Sequence, residues 1–362
     1  MSDAPLLFQP LTLRGLTLEN RVWLAPMCQY SVTAHDGVPT DWHLVHLGAR
    51  AIGGFGLVLA EASAVVPEGR ITPEDTGIWN DEQVAAWHRV TDFSHAQGVP
   101  IGIQLAHAGR KASTFAPWRG EDSVPSDQGG WETVGPSADP FTGYATPAEL
   151  DTEGIAAVVQ AFVDAARRAD EAGFDVVELH AAHGYLLHQF VSPLANRRTD
   201  EYGGSFENRT RIVVETAAAV RAVWPSDKPL FVRLSATDWR DDGWTVDESA
   251  RLVKALGEVG VDLADISSGG AVAEAEIVVG PGYQVPFARE VRASSGVPVA
   301  AVGLITEPDQ AEQVLAEGSA DAVFLARVAL REPSWPQRAA HELGIDRHDA
   351  PYPEQYTRGA WS

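Results

Sequence analysis

The sequence predicts an α/β fold of the (β/α)8 TIM-barrel type. Eight short, almost wholly apolar runs alternate with segments of helical periodicity between Val22 and Leu325. That alternation is the pattern of parallel strands buried between helices. Most runs end in polar or glycine residues, as barrel strands do where they deliver groups to the C-terminal face. An open doubly wound sheet would also fit the alternation, but the number of strands favours closure. Neither an internal repeat nor a linker-like stretch interrupts the chain, so residues 1–362 read as one domain.

Taken in order, Leu11–Leu13 and Leu16–Leu18 alternate around Arg14-Gly15 and predict an N-terminal hairpin. Val22–Ala25 is the first barrel strand, stopped by Pro26, which lacks an N–H to continue a ladder. From Asp41 to about Gly53, Leu44, Leu47 and Ala51 share one helical face. Gly56–Ala60 is the second strand, Asp81 to Gln97 a helix ended by Gly98, and Pro100–Gln104 the third strand. Regular alternation then stops from 107 to about 150, a stretch holding Trp118, Pro125, Trp131, Pro136 and Pro140. So long an excursion after strand three reads as a lid or binding loop.

Asp151 caps a helix that runs to Ala172 and ends at Gly173. Phe174–Leu179 is the fourth strand and terminates on His180. Ser205 caps a helix to about Val223, and Pro229–Arg233 is the fifth strand. The pattern continues with helix Val246–Val259, strand six Asp262–Ile266, helix Pro286–Ser295 and strand seven Val297–Val302. Helix Glu307–Glu317 and strand eight Asp321–Leu325 complete it, followed by a tail over about 345–362.

Composition narrows the function. The net charge of −23 and a pI near 4.7 argue against nucleic acid or an anionic membrane as partner, since phosphates demand a positive face. Cys28 is the sole cysteine, which excludes an intrachain disulfide, a cysteine-ligated iron–sulfur cluster and a multi-cysteine zinc site. No export signal and no run long enough to span a bilayer are visible, so a cytoplasmic location is expected.

Chemistry concentrates where strand four ends. His180, His183 and Tyr185 follow a buried strand within six positions. Imidazole N–H groups can polarise a carbonyl oxygen, and a phenol can surrender a proton. The same residues could be a metal pair lacking its third ligand, or ordinary core side chains. Elsewhere, Cys28 could be a small buried residue or could tune a cofactor, and Ala62 would let a flat ring approach the backbone. Gln104 offers donor and acceptor together, and Arg233, a charge after four apolar residues, needs a partner. Ser267–Gly270, Gly303, Ala326 and Arg327 stand at the ends of strands six to eight, where barrels hold phosphates. His43, His46, His107 and His188 read as packing or polar structure, and Lys111 as either a solvated loop lysine or a group serving the site.

The segments HAAHGYLLHQF at 180–190 and SPLANRRTDEYGGSFENR at 192–209 closely resemble the old yellow enzyme family of FMN-dependent ene-reductases. APMCQY at 25–30, QLAHAGRKA at 104–112, AVGLI at 301–305 and FLARVALREPSWP at 324–336 extend the resemblance along nearly the whole chain. The cysteine in APMCQY is similar to the thermophilic-like branch, in which a thiol beside the flavin tunes its redox behaviour.

The resemblance implies FMN as cofactor, with NADPH or NADH as reductant. Its binding residues would be Ala25, Pro26, Met27, Cys28, Ala62, Gln104, Arg233, Gly303, Ala326 and Arg327. Activated alkenes (α,β-unsaturated aldehydes and ketones, nitroalkenes, maleimides) would be reduced, with His180 and His183 holding the substrate oxygen and Tyr185 giving the proton. Tyr30 would contact flavin or substrate. Arg358, and with it Trp361, would reach a neighbouring subunit's site in a homodimer or homotetramer. No metal is expected. The rivals are a metal-dependent barrel hydrolase using His180 and His183, a flavin-binding sensor without turnover, and a tRNA dihydrouridine synthase, which the acidic charge opposes. A Schiff-base aldolase lacks a lysine at a strand's C-terminal end, since Lys228 precedes strand five and Lys254 lies mid-helix.

Overall fold

The computed structural model describes residues 4–361. Eight parallel strands close into a barrel, each bonded to the next in chain order, with the eighth returning to the first. They are Val22–Leu24, Leu57–Ala64, Ile101–Ala106, Val176–Ala181, Leu230–Ser235, Leu263–Ser267, Val299–Ala301 and Ala322–Leu325. Closure is made by Val323, Phe324 and Leu325 lying opposite Val22, Trp23 and Leu24.

Strand alternation divides the core in two. Val177, Leu179, Val232, Leu234, Ala264 and Ile266 face outward and pack under the helices. Trp23, Leu59, Val176, Phe231, Leu263 and Phe324 face inward and fill the barrel. Trp23 stacks on Phe231 and meets Phe324 edge-on, so three large rings occupy the axis as a solid core.

The N-terminal hairpin forms as expected, with Leu11 opposite Leu18 and Leu13 opposite Leu16. Leu13 and Leu18 join the inward cluster, so the hairpin stoppers the N-terminal mouth. Arg14 and Gly15 tie it to Asp262 and the Asp227 carbonyl, residues just before strands six and five. Only the opposite mouth is left for chemistry.

The helices begin where caps were expected. Asp151 accepts from the Gly154 N–H at 2.7 Å, and Ser205 from the Asn208 N–H at 3.2 Å. Several strands run further than their apolar runs suggest. Strand two continues to Ala64 through a bulge at Glu61, and strand three continues to Ala106. Strand five extends two residues beyond Arg233 to Ser235, so Arg233 lies inside the barrel rather than at the strand's end. Its charge hid the continuation. Two short helices, Arg327–Arg331 and Trp335–Glu342, follow strand eight where none was expected.

The 107–150 excursion holds 3-10 turns at Gly109–Lys111 and Ser126–Gln128 and a minimal parallel pair, Val134–Gly135 with Ala148–Glu149. Two buried arginines pin it. Arg110 donates to the carbonyls of Asp139 and Ala271, and Arg198 to those of Pro136 and Leu150. The tail lies at the other pole. Pro351–Pro353 pack beside Asn20, Gly56 and Pro100, the residues that precede the first three strands.

Candidate active site

Strand four carries His180 to the barrel mouth, and the chain then turns through His183 and Gly184, both at positive φ. A Cβ at Gly184 would strike the Gly270 carbonyl, so this sharp turn requires glycine. His188 fixes the turn from below. Its Nδ1 accepts the Gly184 N–H at 2.8 Å, and its Nε2 lies 3.0 Å from fully buried Asp238. His188 is thus structural, as is His107, whose Nδ1 accepts the Gly109 N–H. His43 belongs to the capping box of helix Asp41–Ile52 and sits 3.1 Å from Glu61.

His180, His183 and Tyr185 converge. The His180 ring stands 5.1 Å from His183 and 4.9 Å from Tyr185, perpendicular to each. Burial, then the positive charge of Arg233, holds both imidazoles well below their ordinary pKa, so both are neutral. Nδ1 of His180 accepts the Ala182 N–H, which assigns its proton to Nε2. Nε2 of His183 meets the Ser267 hydroxyl at 2.7 Å, fixing that ring as well. Burial, then the neighbouring Cys28, pushes the Tyr185 phenol well above its usual value. The phenol keeps its proton.

On the Tyr185 side of this trio lies a cavity of about 450 Å³, lined by Tyr30, Lys111, Phe141, Tyr144 and Tyr185 among others. Lys111 is a site residue rather than a solvated loop lysine. It donates to the carbonyls of His183 and Gly270, and its ammonium sits over the rings of Phe141 and Tyr185. Cys28 and Tyr30 pack against Ile71, Ala108 and Ala112 on the same side. Burial and the carboxylates of Asp75 and Glu61 raise the Cys28 thiol, and Cys28 followed by burial raises Tyr30.

A second cavity, about 230 Å³, opens between the ends of strands five to eight and brings Arg233, Gly303, Ala326 and Arg327 together. Ser267, Tyr283, Gln284 and Arg331 are also in its lining. Gly303 sits at φ +122, and a Cβ there would meet the Gln284 side chain at 2.8 Å. Among the described residues, neither Arg327 nor Arg331 pairs with a protein carboxylate. Two free cations over a glycine turn suit a phosphate. Ala25, Pro26, Met27, Cys28, Ala62 and Gln104 lie outside this lining: the first four follow strand one, and Ala62 and Gln104 sit two residues inside the mouth ends of strands two and three.

Arg358 and Trp361 are not at this site. Both are exposed near the stoppered pole, with Trp361 packed on His341. Tyr283, Gln284 and Arg331 escaped the sequence reading because loops and a short helix supply them, without periodicity to mark them. No group of three or more His, Cys, Asp or Glu placed to hold a metal ion occurs among the described residues. No helix there is long and apolar enough to cross a membrane.

A barrel whose open mouth gathers two unpaired guanidiniums over a glycine turn, two neutral imidazoles and a protonated phenol fits a flavin-dependent oxidoreductase. A sequence model of the NADH:flavin oxidoreductase / NADH oxidase family matches residues 6–346, and the chain belongs to that family. It is 52% identical over 354 residues to an NADPH dehydrogenase of Geobacillus thermodenitrificans, covering 98% of each chain. Among solved structures, it is similar to morphinone reductase in complex with tetrahydroNAD, with a TM-score of 0.79, 29% identity and coverage of 98% of this chain and 94% of that one. It also superposes on a 2-naphthoyl-CoA reductase complex at TM-score 0.85 and 26% identity, over 93% of this chain and about half, 52%, of that longer one. FMN is its cofactor and a reduced nicotinamide its electron source.

Proposed function

We propose that this chain is an NAD(P)H-dependent ene-reductase that reduces alkenes activated by a carbonyl or nitro group. The observation that carries the reading is the convergence of two neutral imidazoles with a protonated phenol that lines the larger cavity.

FMN, when bound, supplies the hydride it has accepted from NADPH or NADH. Gly303, Ala326 and Arg327 would hold its phosphate, Gln104 and Arg233 its pyrimidine edge, and Ala25 to Cys28 with Ala62 its ring. Tyr30 and the 107–150 segment, acting as a lid, enclose the substrate and exclude water. His180 Nε2–H and the free ring nitrogen of His183 face the substrate oxygen. Ser267 has one proton, and Ser268 already serves Gln284 Oε1 at 2.6 Å against 3.3 Å for Ser267; with the Ser267 proton on His183 Nε2, the His183 proton sits on Nδ1 and each imidazole offers one N–H. Negative charge gathering on the oxygen is stabilised by these fixed donors, each worth about 10²–10³-fold in rate. Tyr185 then delivers its proton to the α-carbon.

Arg358 and Trp361, remote from their own mouth, are assigned to a neighbouring subunit's site in a homodimer or homotetramer. The enzyme is assigned to the cytoplasm, where reduced nicotinamides are supplied.

The test is an anaerobic absorbance trace of the purified holoenzyme, adding NADPH and then cyclohexenone. Bleaching followed by recovery of the yellow colour is expected. Bleaching without recovery would overturn the substrate class while leaving the flavin assignment intact.

A further inference from the structure

Alternation sets every second strand residue inside the barrel, where branched apolar side chains ordinarily fill the layers. Strands three to six depart from that rule together. Gln104, Glu178, Arg233 and Asp265 face inward on four successive strands, with Gln104 opposite Glu178 and Arg233 opposite Asp265. Glu178 and Asp265 are wholly buried, and Gln104 and Arg233 almost so. Gln104 Nε2 donates to Glu178 Oε1 at 2.7 Å, and Arg233 Nε lies 3.0 Å from Asp265 Oδ2. From the remaining strands Trp23, Leu59, Ala300 and Phe324 turn inward, and none is charged. On strand four itself the neighbouring inward group is neutral His180.

The charges do not balance. Two carboxyls face one guanidinium, so the fully ionised cluster would leave one negative charge in the barrel centre. Oε2 of Glu178 has no hydrogen-bond partner, and neither has either oxygen of Asp265, which is held by charge alone with the Arg233 guanidinium 3.0 Å away. A buried carboxylate oxygen without a donor is stable only if it carries a proton. Arg233 is ion-paired with Asp265; Glu178 also feels that charge, but its one hydrogen bond comes from the Gln104 amide. Burial, then the Asp265 charge, accordingly pushes Glu178 up to about 8, and burial raises Asp265 only to about 6.

We propose that Glu178 is a proton reservoir for the cofactor site in alkaline solution: where its Oε2 is ionised in the oxidised enzyme, it takes one proton from solvent when negative charge is added at the Gln104–Arg233 edge, and releases it when that charge leaves. The inference rests on the FMN assignment, not on the alkene substrate. Only an O–H bond forms or breaks, no electron passes through the carboxyl, and the conjugate base of the donor stays in the buffer. The same proton governs Gln104. An ionised Glu178 can only accept, so the amide turns its NH2 inward and its carbonyl oxygen toward the site; a protonated Glu178 can donate and releases that constraint. Glu178 is therefore a positioning residue.

The test is the reduction potential of bound FMN in the holoenzyme, measured from about pH 6 to about pH 10, a span that brackets the raised carboxyl. Below about pH 8, Glu178 is already protonated and adds nothing, so reduction takes up one proton per two electrons. Above it, the slope should double as Glu178 gains a second. Glu178→Gln, neutral throughout, should show the shallower slope at every pH. A single slope in the wild type, or the same break in Glu178→Gln, would overturn the proposal. Should that variant fail to fold, the wild-type reduced-minus-oxidised infrared spectrum at alkaline pH decides: a protonated-carboxyl band must grow, and its absence refutes the reservoir. Neither measurement involves an alkene, so failure of the substrate reading leaves both interpretable.

Discussion

Tyr185→Phe separates proton delivery from everything else the site does. The change removes one hydroxyl and keeps the ring, so the edge-on contact with His180 at 4.9 Å and the Lys111 ammonium above the ring both persist. Among the described residues the hydroxyl meets no protein partner, so its loss orphans nothing, and stability should stay within about 0.5 kcal/mol. General acid catalysis contributes about 10²–10⁴-fold, or about 3–5 kcal/mol of barrier. Stopped-flow reoxidation by cyclohexenone should slow by that factor, while bleaching by NADPH, which requires no phenolic proton, should change by less than about twofold. Because the phenol titrates far above neutrality, the wild-type alkene step should show no loss of its acid up to about pH 9. Equal slowing of both half-reactions would refute Tyr185 as the acid and return it to packing.

Other perturbations separate the remaining parts of the site. His180→Ala should weaken phenolate ligands, followed by their long-wavelength absorbance, by about 10–100-fold through loss of one hydrogen bond to a charged oxygen; unchanged affinity would remove His180 from the oxygen-binding pair. Arg327→Ala should lower FMN affinity in apoprotein titrations and flatten its dependence on salt; an unaltered salt dependence would place the phosphate elsewhere. Asp75 is buried and raised to about 7, chiefly by burial, so its neutral form favours folding. Its contribution is full below the unfolded value of about 4 and is lost as pH climbs through 7. The Tm of Asp75→Asn should therefore gain on the wild type across that window, and a constant difference would show that Asp75 does not titrate there.

Much of the fold was legible because strands buried on both faces read as continuous apolar runs between capped helices. That same continuity concealed the barrel's inner lining. Glu178 and Asp265 sit in runs such as Val176–Leu179 and Leu263–Ile266, where sequence does not say which neighbours share the inside. In sequence Arg233 looks like a strand terminus because charge ordinarily ends an apolar run, whereas in the fold Asp265 lets it stay within. The donor wall was legible since three polar residues crowd one strand end. Sequence does not decide the role of Lys111 because its partners are carbonyls of remote loops, His183 and Gly270, which leave no trace in composition. The tail's position was beyond reach for the same reason: Pro351 is held by Gln337 and packs on Gly54, contacts set by tertiary geometry alone.

The leucine hairpin at the barrel's foot has a consequence for traffic. A vessel stoppered at one end has a single door, so oxidised nicotinamide must leave by the route through which the next molecule enters. The two reactants then queue for one vestibule, and an excess of either obstructs the other. Selectivity in such a catalyst is a matter of scheduling as much as of fit, and widening the doorway alters both visitors at once.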